Sequence, residues 1–333
     1  MKLNSAKFAI GTLMRGAALA AWACGIVSGA AAADAYPARP ITLVVPFAGG
    51  GSADILGRVL ANSLTETLKQ PVVVDNRTGA GGLVGTSLVA KAPADGYTLL
   101  LATDSLYAIN PALYGKKAED AVAALAPVAH LAEAPLVIAV NSASPANDFA
   151  GLLKQAKASS APLSFGTPGV GTDHHLLGEL IAKSGQVRLN HVPYRGAGAA
   201  LGDLAGGQID MLITLVSTAQ PMVAAGKIKL VGVASTKVYE AQPQIPRMGQ
   251  TLPGTDMLVS YSLMAPKSTP APIVARLNEA VGIALRNPSV GSKLAELGLT
   301  PTGGTVTDFA KRMQAERQQR EGIIRDADVK LVE

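Results

Sequence analysis

The amino-acid sequence predicts an α/β fold of two domains, each a mostly parallel sheet flanked by helices. Short apolar runs such as Ile41–Val45 have the β-branched composition of buried strands, and they alternate with segments whose apolar residues recur at helical spacing. Glycine-rich loops follow strands in both halves of the chain. Beyond residue 33 about 300 residues remain, a length that suits two domains.

Residues 1–33 have the features of a secretory signal peptide. Three basic residues lie within the first fifteen, an alanine-rich apolar stretch runs from 16 to 33, and A-x-A cleavage sites end at Ala33 and Ala35. A transmembrane anchor is the alternative, but the stretch is barely long enough to span a bilayer. We therefore expect an exported, periplasmic protein whose signal peptide is cleaved.

Cys24 is the only cysteine of the chain. A lipid anchor on this residue is an alternative to a freely diffusing protein, but Ala21 stands where lipoprotein signals usually have leucine. A chain that begins after Ala33 contains no cysteine, so we expect neither a disulfide nor thiol chemistry.

The formal charge of the exported part is small. Of the 29 basic residues three lie in the leader, which leaves 26 against 24 acidic residues, or +2. Aromatic residues make up only 4% of the chain, and no basic run is interleaved with them. These features argue against nucleic-acid binding.

The elements of the first domain follow from apolar periodicity and turn residues. The expected strands are 41–45, 72–74, 97–102, 127–131 and 135–140. The expected helices run over 53–69 and 83–89, and each ends close to a proline. The first helix follows three glycines, and Ser52 or Asp54 is placed to cap it.

The second domain repeats this arrangement after a break at 142–146. Its expected strands are 163–166, 189–194, 210–216 and 229–234, with helices that begin at Asp173 and after Gly198. Strand 257–265 then returns to the first domain, followed by an amphipathic helix over 273–285 and a charged helix from about 307. We expect the helices up to 330 to pack on the first domain, and we interpret the charged helix as a solvated face. The predicted boundaries are 36–138 plus 257–333 for domain 1 and 139–256 for domain 2.

Four glycine loops lie where a strand ends and a helix begins: Gly49–Gly51, Gly79–Gly82, Gly169–Gly171 and Gly196–Gly198. In α/β sheets ligands bind beyond the carboxyl ends of parallel strands. The first N–H groups of a helix have no partner within it and carry partial positive charge, so each loop can bind an anion. Thr103 and Ser105 directly follow strand 97–102, at the same carboxyl edge of the sheet, and are further candidate ligand-binding residues.

Motifs of cofactor and enzyme chemistry are absent from the sequence. No loop completes G-x-G-x-x-G, none ends in Gly-Lys-Ser/Thr, and no G-x-S-x-G or metal-ligand spacing occurs. We interpret the four histidines as structural, and Asp54 and Asp173 as helix caps. We expect no cofactor, no metal and no enzyme activity. The competing interpretation is an exported enzyme of a small acid, with Asp104 and His174 or His175 as base and acid.

Several motifs stand in order along the whole mature chain. They are Pro46–Asp54, Val74–Gly82, Asp95–Leu100, Gly169–Leu176, His191–Gly196 and the Ala265-Pro266 turn with Thr269-Pro270. Together they resemble the Bug family, the TctC-type periplasmic receptors of tripartite tricarboxylate transporters. The resemblance implies a periplasmic-binding-protein, or Venus-flytrap, fold and capture of a small carboxylate or related solute for a membrane transporter.

The resemblance also implies which residues hold the ligand carboxylate. By position these are Phe47, Ala48, Gly49 and Ser52 of domain 1 and Thr167, Gly171, Thr172 and Asp210 of domain 2. We expect Asp210 to contact the far end of the ligand, and the alternative is a turn or strand-start residue exposed to water. The chain departs from the family at 243–250 and at Tyr261, where tryptophan is common. The ligand stays open among dicarboxylates, amino acids, keto acids and aromatic acids.

We expect a monomer whose partners are a small carboxylate-type solute and the membrane subunits of a transporter. A sensor that reports the solute to a membrane sensor kinase is the alternative, because it would have the same fold and the same pocket.

Overall fold

The computed structural model describes residues 36–240 and 242–327. The predicted signal peptide, its cleavage sites and Cys24 lie outside these residues. From Arg39 onward the described residues form one compact unit. Within the described ranges no helix is both long enough and apolar enough to cross a membrane.

The strands of the described residues agree closely with the apolar runs of the sequence. In chain order they are β1 (Ile41–Val45), β2 (Val72–Asn76), β3 (Thr98–Thr103), β4 (Leu125–Pro135), β5 (Val137–Asn141), β6 (Leu163–Thr167), β7 (Leu189–Pro193), β8 (Met211–Thr214), β9 (Ile228–Val233), β10 (Leu258–Pro266) and β11 (Thr300–Pro301).

Helices follow most of these strands. They are α1 (Ser52–Leu68), α2 (Leu83–Ala90), α3 (Asn110–Tyr114), α4 (Lys116–Ala123), α5 (Phe149–Ala158), α6 (Asp173–Gly185), α7 (Ala197–Ala205), α8 (Val216–Ala224), α9 (Ala271–Arg286), α10 (Pro288–Glu296) and α11 (Val306–Ala327). Shorter helical turns lie at Ala80–Gly82, Ser105–Ile109 and Met248–Gln250.

The first sheet has the strand order β11-β4-β10-β3-β1-β2. At one end of this sheet β1 runs parallel to both β2 and β3, with Leu43 of β1 opposite Val74 of β2 and Leu99 of β3. Leu43, Val44 and Val45 are all fully buried. Because successive strand residues point to opposite faces, both faces of β1 are covered, which explains its unbroken apolar composition.

The second sheet has the strand order β7-β6-β8-β5-β9. β6 runs parallel to β7 and to β8, with Phe165 opposite His191 and Met211. We call each sheet, with the helices that pack on it, a lobe. The first lobe contains the first sheet with α1–α4 and α9–α11, and the second lobe contains the second sheet with α5–α8.

Both sheets are mixed rather than mostly parallel, which corrects the sequence-based expectation. β10 runs antiparallel to β3 and β4, and β5 runs antiparallel to β8 and β9. β4 leads into β5 through the single residue Leu136, and β10 brings the chain back to the first sheet. The returning strand lies beside the outgoing one, so the two must run in opposite directions.

The chain crosses between the sheets at Leu136 and again over residues 234–257. Three backbone hydrogen bonds connect the crossings: Ala234 N–H to Leu136 O at 2.8 Å, Met257 N–H to Ala234 O at 3.1 Å, and Leu136 N–H to Met257 O at 3.3 Å. The two covalent links between the lobes are therefore joined side by side. The predicted domain boundaries, which fall close to these residues, stay a prediction.

The C-terminal helix α11 is not simply a solvated face, contrary to the expectation. It packs on β4, on the turn Ser105–Ile109 and on α6 of the second lobe. Glu316 and Arg320 are only 9% and 3% exposed. Arg320 donates hydrogen bonds to the buried carboxylates of Asp104 and Asp173. These partners are distant in the chain, so the polar composition of the helix could not indicate its burial.

Gly178 allows α6 to pack closely on β6, because a Cβ atom at this position would collide with the ring of the fully buried Phe165. We expect Gly178→Ala to lower the free energy of unfolding by about 1–3 kcal/mol, since the ring has to move within a packed core. Gly202→Ala in α7 is the matched control, because no atom lies within 4 Å of the added Cβ. It should leave stability unchanged or raise it by up to about 1 kcal/mol. Urea unfolding measures both variants, and equal losses would contradict the packing argument.

Candidate ligand-binding site

A cavity of about 250 Å³ lies where helices of both lobes begin. Its lining includes residues at the N-termini of α1, α6, α7 and α8, represented by Ser52, Asp173, Ala197 and Leu215. The first N–H groups of each helix have no acceptor within the helix, and the helix dipole adds partial positive charge there. Four such ends around one cavity form a site for an anion.

Asp54 shapes the loop before α1 and does not cap the helix. Gly51 is the N-cap residue, and no side chain makes a cap bond. The prediction that Ser52 or Asp54 caps the helix is therefore wrong. Asp54 Oδ2 instead accepts a hydrogen bond from the Gly50 N–H at 3.0 Å. Gly50 has a φ of 83°, which favours glycine, and this allows the chain to turn above the strand end.

Two side chains hold the Asp54 carboxylate in place. Arg58 and Asn76 donate to it at 3.1 Å and 3.0 Å, and Asn76 also donates to Phe47 O at 3.0 Å. Burial raises the pKa of Asp54, but the hydrogen bonds from Arg58, Gly50 and Asn76 outweigh burial and lower it below its ordinary value. The carboxylate therefore stays ionised and fixes the loop that carries Phe47.

Ser52 connects the two lobes at the cavity. Its Oγ lies 2.8 Å from Ser217 Oγ and 3.0 Å from Thr218 Oγ1, both in the first turn of α8. On the first lobe Thr103 Oγ1 and Ser105 Oγ lie 2.7 Å apart and also line the cavity. The wall of the cavity thus offers hydroxyl groups in addition to backbone N–H groups.

The N-terminus of α6 is capped by Thr172, not by Asp173 as predicted. Thr172 Oγ1 accepts from the His175 N–H at 3.4 Å and donates to Gly169 O at 2.8 Å. Asp173, the first residue of the helix, instead forms an ion pair with Arg320, with 2.9 Å between its Oδ1 and Arg320 Nε. Both Thr172 and Asp173 line the cavity.

Arg195 supplies a cation at the cavity. It precedes Gly196, the N-cap residue of α7, and its side chain is exposed. Within the described residues its guanidinium forms no ion pair. A negatively charged ligand could therefore pair with Arg195 without displacing a protein carboxylate.

The structure brings together seven of the ten residues predicted to bind ligand. Phe47, Ala48, Gly49, Ser52, Thr103, Ser105 and Thr172 all line the cavity.

The loops of the two lobes are in close contact here, because a Cβ atom at Gly196 would lie 3.3 Å from Ala48 Cβ.

Asp210 lies elsewhere, which corrects its predicted placement. It is exposed, does not line the cavity, and accepts hydrogen bonds from the N–H and Oγ of Ser164, both at 2.7 Å. Asp210 precedes β8, whose direction puts its carboxyl end, at Thr214, next to the cavity. The carboxylate of Asp210 is therefore at the opposite end of the strand from the ligand.

Thr167 and Gly171 also lie outside the lining of this cavity. Thr167 Oγ1 is 2.6 Å from His191 Nε2, so its hydroxyl supports the loop from behind. Gly171 has a φ of 77°, and a Cβ atom there would lie 2.7 Å from Asn110 Oδ1 of the first lobe. Both residues position the loop that precedes α6.

Sequence reasoning missed several lining residues, including Arg195, Tyr261, His174 and the start of α8. The apolar run predicts a strand that continues through Leu215 and Val216, whereas β8 ends at Thr214 and α8 begins at Val216. Pro221 lies inside α8, and its presence hid the helical periodicity. Arg195 was recognisable in principle, because it stands directly before a glycine loop.

Asp104 and His174, two groups of the competing enzyme interpretation, do not form an acid–base pair. Asp104 Oδ1 accepts from the Ser260 N–H and Oδ2 from Arg320, so both of its oxygens are occupied. Burial lowers the pKa of His174 to about 3, so its imidazole is neutral at physiological pH. Among the described residues no group of three or more His, Cys, Asp or Glu side chains is placed to hold a metal ion.

A second cavity of about 510 Å³ adjoins the first. The two share Phe47, Pro168 and Arg195 in their linings. The second is lined in addition by the glycine loop 79–82 and by Tyr114, whose hydroxyl donates to Val170 O at 3.3 Å. Arg195 therefore lies where a ligand could extend from one cavity into the other.

Comparison with known proteins places this geometry in a family. The family model described as tripartite tricarboxylate transporter family receptor matches residues 56–329. The periplasmic binding protein BugD is 30% identical, with a TM-score of 0.83 over 89% of this chain and 99% of BugD. Rpa4515 of R. palustris, solved with adipate, is 32% identical, with a TM-score of 0.86 over 89% and 100% of the two chains. MatC from Rhodopseudomonas palustris, with bound malate, is 30% identical, with a TM-score of 0.80 over 87% and 100%.

These similarities confirm the resemblance that the loop motifs indicated, and they confirm the two-domain periplasmic-binding-protein fold. The family and the similar structures are solute-binding receptors rather than enzymes, which also confirms the expectation that this chain is not an enzyme.

The buried neutral state of His174 predicts a pH dependence of stability. Its pKa is about 3 when folded and about 6.5 in an unfolded chain, so its contribution is fully present above pH 6.5 and is lost as pH falls towards 3. Between pH 7 and pH 5 we expect the native chain to lose about 2 kcal/mol more stability than His174→Gln. Urea unfolding at both pH values measures this difference, and parallel losses would show that His174 protonates equally in both states.

Proposed function

Because the chain belongs to the family of tripartite tricarboxylate transporter receptors, we propose that it captures a small carboxylate, foremost a dicarboxylate, and delivers it to the membrane subunits of such a transporter. The ligand binds in the cavity between the two lobes. The protein acts in the periplasm as a monomer, after removal of the signal peptide at 1–33.

The observation that carries this proposal is the meeting of four helix N-termini and Arg195 at one cavity. Each hydrogen bond between a charged oxygen and a backbone N–H contributes roughly 1.5–3 kcal/mol. Four or five such bonds can offset the loss of translational freedom and support an affinity of about 1 μM.

Acidic groups near the cavity do not oppose this assignment. Asp173 is the acidic residue of the lining, and its charge is paired with Arg320. Asp54 lies behind the first loop and is paired with Arg58. A ligand carboxylate therefore approaches unpaired donors and a cation, rather than an unpaired carboxylate.

The two adjoining cavities support a ligand with two polar ends. One carboxylate would lie at the helix N-termini, and Arg195, which borders both cavities, would contact the other end. Rpa4515 binds adipate and MatC binds malate, so similar proteins bind diacids of different length. We extend this ligand class to the present chain.

Closure of the lobes around the ligand is part of the proposal. The predicted domains, 36–138 with 257–333 and 139–256, would move about the paired crossings at Leu136 and 234–257. Contacts between loops of opposite lobes, such as Ser52 with Ser217, would form as the cleft closes. The ligand favours the closed form because only that form offers all four helix ends.

Calorimetric titration tests the ligand class. We expect malate or adipate to bind with a dissociation constant of about 1 μM, because both ends of the diacid find donors. Aspartate, 2-oxoglutarate and nicotinate cover the other acid classes. Hexane-1,6-diol is the matched control for adipate, since it keeps the six-carbon chain and lacks both charges. Absence of binding by every acid, or equal binding of adipate and the diol, would overturn the proposal.

Arg195→Gln tests the cation at the cavity. We expect the affinity for the diacid that binds to fall about ten- to a hundredfold, the value of one charge-assisted hydrogen bond. The dependence of binding on salt should weaken as well, because one charge–charge attraction is lost. Arg188→Gln is the control, because Arg188 donates to Ser159 O and Ser160 O and does not line the cavity. Equal affinities of the two variants would remove Arg195 from the site.

A further inference from the structure

Arg320 is a buried cation with three close acceptors, and its Nη1 also donates to Gln319 Oε1 at 3.5 Å. Its side chain is 3% exposed. Nη2 donates to Asp104 Oδ2 at 2.8 Å and to Leu258 O at 2.7 Å, and Nε donates to Asp173 Oδ1 at 2.9 Å. A buried charge is stable only when such partners replace the water it has lost.

The three acceptors belong to different lobes. Asp104 follows β3 and Leu258 begins β10, so both lie in the first lobe with α11. Asp173 begins α6, which packs on β6, β7 and β8 of the second lobe. Of the acceptors of Arg320, only Asp173 is therefore supplied by the other lobe, and Asp173 lines the cavity beside Thr172 and His174.

A second set of buried bonds fixes α11 to the first lobe. Glu316, one turn before Arg320, accepts from Tyr107 Oη at 2.7 Å and from Ser260 Oγ at 2.6 Å. The backbone N–H of Ser260 donates to Asp104 Oδ1 at 2.9 Å. These bonds tie the helix that carries Arg320 to the first lobe rather than to α6.

We propose that Arg320 is a positioning residue for ligand binding. Its bond to Asp173 holds the N-terminus of α6 at the cavity and stabilises the closed form. When the cleft opens, Asp104 remains as the partner of the Arg320 guanidinium. This inference rests on the proposed closure around a carboxylate. Opening breaks the contact of Arg320 with Asp173, and the buried guanidinium still has the carboxyl group of Asp104 as a partner.

The same ion pair removes a repulsion. Asp173 lies at the first turn of a helix whose N–H groups would hold the ligand anion. Burial raises the pKa of the Asp173 carboxyl, and the charge of Arg320 opposes this rise and favours the ionised form. An ionised Asp173 without Arg320 would repel a second carboxylate in the same cavity. Arg320 therefore contributes to affinity without lining the cavity.

The matched variants are Asp173→Asn and Asp104→Asn, because each replaces one carboxyl acceptor of Arg320 by an amide and leaves it the other. Asp173→Asn weakens the bond that exists only in the closed form. Since apparent affinity falls with the fraction of closed protein, we expect binding of malate or adipate to weaken about tenfold or more. Asp104→Asn weakens a bond present in both forms, so affinity should stay the same or rise, although thermal stability falls.

Distance measurement between spin labels separates positioning from direct contact. Labels at Glu66→Cys on α1 and Lys154→Cys on α5, both exposed, report the separation of the lobes in a Cys24→Ser chain. Without ligand, Asp173→Asn should shift the distribution towards longer distances, and Asp104→Asn should not. A residue that only touches ligand would lower affinity and leave the ligand-free distribution unchanged.

The outcomes distinguish this inference from the proposed function. If the native chain binds malate or adipate and Asp173→Asn binds equally well, the positioning role of Arg320 is wrong and the receptor function stands. Parallel losses of affinity in both Asp variants would assign Arg320 a structural role only. If the native chain binds none of the acids titrated, the receptor proposal loses its support, and the ligand-free distances still decide whether the Arg320–Asp173 bond favours closure.

Discussion

The arrangement of the cavity depends on backbone N–H groups that have no acceptor inside their own helices. Four helices of the two lobes begin at this point, and their first turns need acceptors that the protein does not supply within the helix. Water or an anion can fill this role, and an anion does so with the additional attraction of the helix dipoles. This requirement explains why the loops are small and glycine-rich, and why Gly50 takes a left-handed conformation between Gly49 and Gly51, which line the cavity.

A second constraint is the burial of charge beside this site. Arg320, Asp104 and Asp173 are all almost inaccessible to solvent, and each would be strongly unfavourable alone. Their mutual contacts couple the C-terminal helix to the first turn of α6, so the part of the protein with the most polar sequence is connected to the cavity. In the proposed closure, the bond from Arg320 to Asp173 is formed only in the closed state, whereas the bond to Asp104 is kept in both states.

Much of the fold could be predicted because strands and helix starts depend on residues close in sequence. The bounds of β1 were predicted without error, and most other strands within one or two residues. Seven of the ten candidate ligand residues line the cavity, since the carboxyl ends of parallel strands meet at one edge. The failures have identifiable causes: Pro221 obscured α8, the mixed sheets follow from the path of the chain between lobes, and Asp210 was placed at the wrong end of its strand.

The sequence by itself determined the alternation of strands and helices, the glycine turns and the family motifs, because all of these are set by composition and spacing within a few residues. Only the tertiary structure decided which polar side chains face the cavity and which pair with one another. Arg320 and Asp104 are 216 positions apart, and Arg320 and Asp173 are 147 apart. No local pattern encodes such a contact, because a charge buried away from water must be paired, and these charges meet only after both lobes have folded.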